Sequence, residues 1–558
     1  MKCLAKHQLR RYLAELHGKR YSAYKKLKSI VIDYGVAKAI FTRIQGDPHA
    51  PPSIMEITIP SSIHGFPQEF LKDKSVVAFT DYIARVLYNV TRRHSRKCGS
   101  GYSCFIGIPK PSSRILLRSC VEVGVDNSII LRLYIGLPAK GRRILGDKAK
   151  TLLLEVVPEV IKSILKLQSG VDEIKRHIQN YLDQEYLRQW LYREDYLFFI
   201  ADNSILPRES SLSDKPMANA VPFKSPKTLK VQVRLPSGRV VTGMAVPKGL
   251  IVVTGGGYHG KTTLLEAIQE GIYNHVEGDG RELVVSRKYT VIVRAEDGRI
   301  VSHVDISSFI GELPIGKDTS DFTSLDSSGS TSMAASISEA IEAGAELLLI
   351  DEDTSATNLL YKDNTMSKII RKEPIKPLSL QIKDIIRKAN LGVVVITSAS
   401  STFINHADKV ILMENYLPID ITEHVKSQRD SELQKTLHYK LPRKRLFYGI
   451  KGLEKVRVRG FKITTKYSDG TIFELDLTYY PRVVEKGQVK FIAHVIEKLS
   501  NLKKPMEIRK LIDYVNRLVF ERGFSVFAKP VPPDLTVADG FDVVWTLNRM
   551  YNAIFIQK

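Results

Sequence analysis

The stretch Gly255-Gly256-Gly257-Tyr258-His259-Gly260-Lys261-Thr262 decides the fold of this 558-residue chain. It fits the pattern GxxxxGK[ST], follows a strand predicted at Leu250–Thr254 and opens a helix predicted at Lys261–Tyr273. Glycines let main-chain N–H groups turn inward around phosphates, and the helix N-terminus adds partial positive charge. The pattern therefore predicts a loop that binds the phosphates of a nucleoside triphosphate.

Individual residues of this loop have predicted roles. Lys261 is expected to reach the β- and γ-phosphates, and the Thr262 hydroxyl is expected to bind Mg²⁺. The chain from Gly255 through Thr263 is expected to contact the nucleotide. Tyr258 and His259 occupy positions where the main chain matters more than the side chain, with His259 as a catalytic base the lesser alternative. We predict ATP and Mg²⁺ as the cofactors.

A second apolar strand ends in two carboxylates. Leu347–Ile350 leads directly into Asp351 and Glu352. At the carboxyl end of a buried strand, Asp351 can hold Mg²⁺ and Glu352 can polarise an attacking water as general base. Apolar strands also end in acid pairs for purely structural reasons, but the phosphate loop upstream favours the functional interpretation. The predicted catalytic residues are Glu352 and Lys261, and the predicted metal ligands are Thr262 and Asp351.

Strands and helices alternate through the middle of the chain. Ser332–Ala343 and Gln381–Ala389 have helical composition, whereas Ala345–Ile350 and Gly392–Thr397 are continuous apolar runs, and Lys409–Met413 ends the series. Continuous apolar strands that alternate with helices predict a mostly parallel sheet covered on both faces.

Two more motifs lie on either side of Asp351. Ser328-Gly329-Ser330-Thr331 resembles the signature of ABC ATPases, usually LSGGQ, and Asp351–Asn358 resembles their Walker B and D-loop run, usually DEPTSALD. Gly329 precedes Asp351 by the separation that is usual in this class. In ABC ATPases the signature opens a helix that faces the γ-phosphate of ATP on a partner subunit. The resemblance implies that Ser328, Gly329 and Ser330 bind nucleotide in a homodimer, at least when ATP is bound.

The chain also resembles the family known as predicted ATPases of the ABC class, which stands apart from the transporters. This resemblance rests on segments spread over most of the chain: Gln45–Pro52, Gly136–Arg142, Ser204–Glu209, Tyr273–Glu282, Gly316–Thr319 and Gly344–Asn358. It implies an α/β fold whose P-loop NTPase core of the ABC ATPase type is embedded between N-terminal and C-terminal α+β domains. A nucleic-acid role, especially with RNA, has been associated with this family.

Three regions are predicted along the chain: a basic N-terminal α+β region at 1–220, an ABC-type ATPase domain at 221–425 and a basic C-terminal α+β region at 426–558. Asn203–Pro226, rich in Ser, Pro and charge, is interpreted as a linker or a long functional loop. In the C-terminal region, Arg457–Tyr467 is predicted as one strand that pairs through a turn with Ile472–Leu477.

The sequence departs from ordinary ABC ATPases at two places, and its adenine contact is not identified by a motif. Ser398 stands where a switch histidine is usual, so fast hydrolysis is in doubt, and His406 is a weaker substitute. No glutamine lies where the γ-phosphate sensor is usual, which leaves Asp305, Ser307 or a plain turn. For the adenine contact Phe223 is a candidate, although a core phenylalanine is the favoured interpretation.

Positive charge is concentrated in segments. The net charge is +23; residues 1–30 hold nine Lys/Arg against one acidic residue, and residues 435–466 hold eleven against one. Such clustering favours a polyanionic partner over an evenly solvated surface. The interleaved tyrosines are predicted to stack on unpaired bases, unless they belong to the core: Tyr12, Tyr21, Tyr24, Tyr439, Tyr448 and Tyr467. We predict nucleic acid as the partner, RNA over DNA by analogy alone, with a membrane surface the lesser alternative.

Composition also excludes some classes of protein. No apolar run approaches the roughly 20 residues of a membrane span, and the charged segment Met1–Arg11 lacks the apolar block of a signal peptide. The four cysteines, Cys3, Cys98, Cys104 and Cys120, are expected to be free thiols, although a Cys98–Cys104 disulfide is possible. We therefore predict a soluble, cytoplasmic protein.

Two functions compete on these observations. The first is an ATPase that hydrolyses ATP·Mg at a dimer interface and couples hydrolysis to nucleic-acid binding. The second is a nucleotide-gated nucleic-acid-binding protein with little or no turnover, which the missing switch histidine favours. A small-molecule P-loop kinase is a weaker interpretation, because it leaves the signature-like Ser328–Thr331 without a purpose.

Overall fold

The computed structural model of the chain describes residues 2–210, 213–314, 316–362, 369, 372–398, 400–427 and 436–558. Ser211 and Leu212 of the predicted linker, and Lys435 of the basic segment, lie outside the described residues. The chain divides into two compact units, Met1–Leu182 with Leu518–Val537, and Asp183–Arg517 with Ala538–Lys558. Among the described residues, no helix is both long enough and apolar enough to cross a membrane.

The first unit is built around a seven-stranded sheet in the order β1-β2-β3-β4-β7-β5, with β6 beside β7. Its first strands and helices run in chain order as β1 Lys2–Ala5, α1 Lys6–Glu15, β2 Ile30–Asp33, β3 Lys38–Arg43, β4 Ser53–Ile59, α2 Ser61–His64, α3 Ser75–His94, β5 Ile106–Gly107, β6 Val121–Val123 and β7 Ile129–Ile135. They continue as β8 Ala139–Lys140, β9 Arg143–Ile144, α4 Gly146–Thr151, α5 Val157–Leu165 and α6 Val171–Arg193. The mixture of helices and strands predicted for the N-terminal region is confirmed.

One pair of cysteines in this unit corrects the expectation of four free thiols. Cys98 and Cys104 form a disulfide, with their Cα atoms 5.6 Å apart. Cys104 adopts a left-handed backbone conformation, φ +65°, which turns the chain back so that the two side chains meet. Cys3 is exposed and Cys120 is buried, and both are free thiols.

The second unit carries the predicted α/β core and several smaller sheets. Up to the signature helix its elements are β10 Tyr196–Ala201, β11 Lys230–Arg234, β12 Val240–Pro247, β13 Leu250–Thr254, α7 Lys261–Glu270, β14 Val284–Ser286, β15 Thr290–Val293, β16 Arg299–Val304, β17 Phe322–Ser327 and α8 Gly329–Ala343. Next come β18 Leu347–Asp351, α9 Thr357–Leu360, α10 Ile382–Ala389, β19 Gly392–Ile396, β20 Lys409–Glu414, β21 Leu417–Asp420 and α11 Thr422–Lys426. The last are β22 Arg445–Ile450, β23 Leu453–Arg459, β24 Lys462–Tyr467, β25 Ile472–Asp476, α12 Lys486–Leu499, β26 Met506–Glu507, α13 Ile508–Arg522, α14 Gly540–Leu547 and β27 Ala553–Gln557.

A six-stranded sheet in the order β15-β18-β19-β13-β20-β21 forms the centre of this unit. The strands from β15 to β20 run parallel, and β21 returns antiparallel as the second arm of a hairpin. Continuous runs of Val, Leu and Ile bury these strands on both faces, because helices or a second sheet cover each face. The mostly parallel sheet that the sequence predicts is confirmed.

The second sheet, β11-β12-β10-β14, is antiparallel and supports the helix that follows the glycine loop. One hydrophobic cluster joins Phe198 of β10 and Met244 of β12 to Leu264 of α7 and Leu349 of β18. Helix α7 is therefore held between two sheets, which fixes its N-terminus at the carboxyl edge of the parallel sheet.

The C-terminal strands differ from the prediction. The single strand expected over Arg457–Tyr467 is wrong, because Gly460 at φ +64° reverses the chain and divides that segment between β23 and β24. With β25 these strands form a three-stranded antiparallel sheet. The predicted hairpin between β24 and β25 is confirmed.

Most of the tyrosines predicted to stack on bases are not available to do so. Tyr21, Tyr24, Tyr439 and Tyr467 are buried, and the hydroxyl groups of Tyr21 and Tyr24 donate to main-chain carbonyls at 3.1 and 2.9 Å. The stacking prediction is wrong for these four, because their rings belong to the core. Tyr448 is 39% exposed.

Candidate nucleotide-binding site

The glycine loop joins β13 to α7 at the carboxyl edge of the parallel sheet. Gly255, Tyr258 and Gly260 have φ values of +137°, +64° and +90°. A Cβ atom at Gly255 would lie 2.4 Å from the carbonyl oxygen of Met413, so no larger residue fits there. The sequence folds this way because glycine supplies the left-handed conformations that the turn requires.

Lys261 begins helix α7 and its side chain folds back over the loop. Its Nζ donates to the carbonyl oxygens of Gly255 and Gly256 at 2.8 and 2.7 Å. The ammonium group therefore lies within the curve of main chain where the sequence predicts the phosphates. Gly256, Gly257 and Tyr258 are exposed along this curve, Tyr258 almost completely.

The loop is anchored on the hairpin formed by β20 and β21. The main-chain N–H of Asn415 donates to Nδ1 of His259 at 2.8 Å. His259 thus connects the glycine loop to the hairpin, a positioning contact rather than a contact with a reacting group. Asn415 and Tyr416 both have positive φ, at +48° and +68°, which is the conformation of a two-residue type I′ turn.

Thr262 and Asp351 are brought together, as the sequence predicts. The Asp351 carboxylate accepts from the main-chain N–H of Asp353 at 3.2 Å, and the Thr262 hydroxyl lies close enough to this carboxylate to act on its pKa. Burial raises the pKa of Asp351, and the N–H of Asp353, the charge of Arg294 and the Thr262 hydroxyl act against this rise. A threonine hydroxyl and a carboxylate in contact are a suitable pair of oxygen ligands for Mg²⁺.

Glu352 is held by donors from two other segments. Its Oε2 accepts from Thr397 Oγ1 at 2.8 Å and from the main-chain N–H of Ser398 at 3.2 Å. Its Oε1 accepts from the hydroxyl of Tyr361 at 2.5 Å. Burial, the hydrogen bond to Glu352 and its negative charge together raise the pKa of Tyr361 to about 12. The Glu352 carboxylate is thus oriented beside Asp351 at the sheet edge.

The signature-like residues lie at the surface, at the start of α8. Ser328 is the N-cap residue and is exposed, and Gly329 and Ser330 form the first turn. The first N–H groups of a helix have no partner within the helix, so this end can attract an anion. Ser330 Oγ donates to Oδ1 of Asn358 at 2.8 Å, which ties the signature to the segment after Glu352.

The replacements considered for the γ-phosphate sensor form a turn. Oδ1 of Asp305 accepts from the N–H and hydroxyl of Ser307 at 3.1 and 2.6 Å, and Asp305 is buried. The plain-turn alternative describes these two residues. Among the candidates for the switch position, Ser398 is exposed next to Glu352, and His406 ends a short helical turn before β20.

A pocket of about 370 Å³ opens beside the glycine loop. It is lined mainly by apolar side chains from the segment predicted as a linker, from the loop and from the hairpin: Leu206, Pro207, Met217, Asn219, Ala220, Val221, Phe223, Gly260, Thr263, Met413 and Tyr416. Phe223 is only 2% exposed, whereas Tyr416 is 54% exposed. Phe223 therefore forms the floor of the pocket, and Tyr416 presents its ring at the rim.

Sequence reasoning missed four residues of this region: Arg294, Tyr361, Thr397 and Tyr416. Arg294 and Thr397 reach the site through strand order, Tyr361 follows the short helix α9, and Tyr416 lies in a hairpin turn. A signal existed for Arg294 and Thr397, since each directly follows an apolar run that forms a strand of the parallel sheet, although the run before Arg294 was not predicted as a strand and the predicted strand Gly392–Thr397 included Thr397. Tyr361 and Tyr416 carried no such signal.

A glycine loop at the carboxyl edge of a parallel sheet, with a threonine in contact with a strand-end carboxylate, defines the P-loop class of nucleotide-binding domains. Comparison with known families narrows this class. The profile of the ABC ATPase P-loop domain matches residues 170–445, and the profile of the N-terminal region of ATPases of the ABC class matches residues 6–168. The chain belongs to the family of ABC-class ATPases.

Individual relatives add little to this assignment. An uncharacterized protein of Methanocaldococcus jannaschii is 31% identical over 296 residues, which are 49% of this chain and 65% of that protein. The match thus spans less than two thirds of the relative. A bacterial Atm1-family ABC exporter with ATP bound aligns at 13% identity and a TM-score of 0.24, over 50% of this chain and 49% of the exporter. At these values the exporter supports no inference about this chain.

Replacing the loop lysine tests whether this site binds nucleotide. Lys261→Ala removes the ammonium group from the curve of the loop and is expected to weaken ATP binding about 100-fold. Lys248→Ala is the matched control, because Lys248 precedes β13 at the opposite end of the same strand. Titration with a fluorescent ATP analogue measures both affinities, and equal affinities for the two variants would remove Lys261 from the site.

Proposed function

We propose that the chain binds ATP·Mg at the glycine loop, hydrolyses it between two copies of itself, and couples this cycle to a nucleic acid. The ammonium group of Lys261 within the glycine loop, with Asp351 and the hydrogen-bonded Glu352 at the same sheet edge, carries the proposal. Lys261 would neutralise the β- and γ-phosphates, and Thr262 and Asp351 would hold Mg²⁺. The family assignment supports the choice of ATP as the nucleotide.

Glu352 is the proposed general base. Its carboxylate accepts hydrogen bonds on both oxygens, which fix its orientation at the sheet edge. Thr397 and Tyr361 hold this orientation from two different segments. In this proposal they position the base, a task in which the histidine missing at Ser398 would otherwise take part.

The homodimer is proposed from the exposed end of α8. Within one copy, Ser328 lies at the surface, where its hydroxyl contacts that of Thr331 at 3.0 Å, so this hydroxyl and the following N–H groups lie where a second copy can reach them. In the proposed dimer these groups contact the γ-phosphate of ATP that is bound to the other P-loop. The bond from Ser330 to Asn358 would couple this contact to the segment that follows Glu352.

Substitution of the proposed base distinguishes hydrolysis of ATP from binding of ATP. Glu352→Gln keeps the size of the side chain but cannot accept a proton, so phosphate release is expected to fall about 10²–10⁴-fold. ATP affinity is expected to stay within about 3-fold of the wild type, because the substitution leaves the loop intact. Lys261→Ala is the control that loses binding as well. Wild-type turnover by Glu352→Gln would exclude Glu352 as the base.

The alternative function is a nucleotide-gated binding protein with little or no turnover. Ser398 favours it, because serine in the switch position carries no positive charge. Release of phosphate by the wild-type protein, measured with and without single-stranded RNA, decides between the two. Absence of release in both conditions, with ATP still bound, favours the alternative.

The pocket beside the loop is the proposed site of the adenine base. It offers an apolar floor at Phe223 and an exposed ring at Tyr416, and none of the described residues that line it is charged. Tyr416 occupies the second position of a type I′ turn, where a side chain is strained and glycine is favoured. A strained aromatic residue held beside the P-loop is consistent with a role in stacking on the base.

This strain makes a sharp prediction. Tyr416→Gly should stabilise the protein by about 1 kcal/mol, because glycine relieves the strained turn. It should also weaken binding of ATP and of ADP equally, about 10-fold, because the stacking ring is lost. Tyr479→Ala, which removes a ring that is 81% exposed elsewhere in the chain, is the control. Thermal unfolding and nucleotide titration measure the two effects. Unchanged nucleotide affinity would contradict the assignment of the pocket.

The proposed nucleic-acid surface is the outer face of the sheet β23-β24-β25. Lys455, Arg457 and Arg459 alternate along β23 and are exposed, whereas Val456 and Val458 between them are partly buried. Residues two apart on a strand are about 6.8 Å apart, so the three cations form a regular row. Within the described part of the chain, no ion pair involves any of the three.

Neighbouring cations on the same sheet are paired. Lys462 contacts Glu474 at 2.7 Å, and Lys466 contacts Glu454 at 3.1 Å. Among the described residues of this face, the row on β23 is therefore the part whose positive charges are not in ion pairs. A row of cations on a flat sheet suits the phosphates of a single strand, whose backbone can follow it.

Charge reversal tests this surface against another basic segment. Lys455→Glu, Arg457→Glu and Arg459→Glu together are expected to weaken binding of a single-stranded RNA oligonucleotide about 100-fold and to reduce its salt slope by about 2. Reversal of Lys25, Lys26 and Lys28, which are exposed in the first unit, makes the same change in net charge. Filter binding at two salt concentrations compares the variants, and equal losses would show a general charge effect.

We propose the cytoplasm as the location, because the proposed enzyme requires ATP. The Cys98–Cys104 disulfide is the observation that argues against it, since cytoplasmic thiols are usually kept reduced.

A further inference from the structure

Arg294 directly follows strand β15 and lies level with Asp351. Val293, the last residue of β15, pairs with Ile350 in the parallel register. The next residues of the two strands are Arg294 and Asp351, so both emerge at the carboxyl edge of the sheet. The sequence contains no motif at this position, and strand order alone brings Arg294 to the site.

The strand order also indicates which phosphate of a bound triphosphate Arg294 would contact. The P-loop follows β13, and β19 and β18 separate β13 from β15. Asp351, the proposed Mg²⁺ ligand, ends β18. Arg294 lies one strand further from the P-loop than Asp351, on the side where a triphosphate that starts at the loop would place its terminal phosphate.

The residues around Arg294 are acidic, but they do not occupy all the hydrogen-bond donors of its guanidinium group. The charge of Arg294 reaches the carboxylates of Asp351 and of Glu266 on α7. Its Nε atom is buried and has no hydrogen-bond partner among the described residues. The described ion pairs of the chain also include none to this guanidinium group. Arg294 therefore carries donors that the folded chain leaves unused at the edge where the phosphates are proposed to lie.

We propose that Arg294 contacts the γ-phosphate of bound ATP and takes the place of the glutamine that ABC ATPases use to sense it. This inference rests on the proposed function, because it requires ATP at the P-loop. A guanidinium group suits the role, since its planar set of donors can bind two phosphate oxygens at once and its charge offsets that of the terminal phosphate. ADP lacks that phosphate, so Arg294 distinguishes the two nucleotides.

Comparison of ATP with ADP tests this role in the full-length protein. Arg294→Ala is expected to weaken binding of ATP·Mg about 30-fold and to leave binding of ADP·Mg within about 3-fold. Arg294→Lys keeps the positive charge near Asp351 and Glu266 but loses the paired donors of the guanidinium group. It is expected to weaken binding of ATP about 5-fold to 10-fold and to leave binding of ADP unchanged. Thermal unfolding shows whether each variant is folded, and Arg294→Lys keeps the test valid if Arg294→Ala unfolds.

The outcomes separate this inference from the proposed function. Equal losses for ATP and ADP, or ATP binding unchanged in both variants, would show that Arg294 is only a counter-ion of Asp351 and Glu266, and would overturn the inference. Failure of the wild-type protein to bind either nucleotide would instead overturn the proposed function. Lys261→Ala is the reference, because it is expected to lose ATP and ADP together.

Discussion

Parallel pairing of β15, β18, β19 and β13 is the constraint on which the site depends. Because parallel strands all end at the same edge, this pairing places the glycine loop, Asp351, Thr397 and Arg294 together although they are far apart in sequence. The strands pair in this order because each is a continuous apolar run that is stable only when both faces are covered. The chemistry of the site is therefore a consequence of how the core is buried.

Several residues next to this edge have a backbone conformation that is unfavourable for most side chains. The loop requires positive φ at Gly255 and Gly260, and the hairpin that supports it requires positive φ at Asn415 and Tyr416. Glycine adopts these conformations at little cost, whereas tyrosine does not. The hydrogen bond from Asn415 to His259 connects the two turns, so the loop that would hold the phosphates is tied directly to the turn whose ring would meet the base.

The parts of the site that the sequence predicts are those coded by local motifs. The glycine loop needs glycines at fixed spacing, and Asp351 ends an apolar run, so both could be found without knowledge of the fold. Arg294, the proposed γ-phosphate contact, lies in no motif, because strand order rather than distance along the chain decides its place. In the basic segments the sequence reveals the charge but not which side chains are buried. Tyr21 and Tyr467 lie among lysines and arginines in sequence, yet their rings pack in the core. Gly460 likewise gave no sign in the alternating pattern that it would reverse the chain.

In the proposed assembly a triphosphate lies along this sheet edge, and the α8 end of a second copy completes its binding site. A crystal structure of the Glu352→Gln variant with ATP and Mg²⁺ tests it most directly. We expect main-chain N–H groups of the glycine loop on the phosphates, Mg²⁺ between Thr262 and Asp351, and Ser328 of a second copy at the γ-phosphate. A structure with ATP bound away from the loop, or with the start of α8 in neither copy near a phosphate, would contradict the claim.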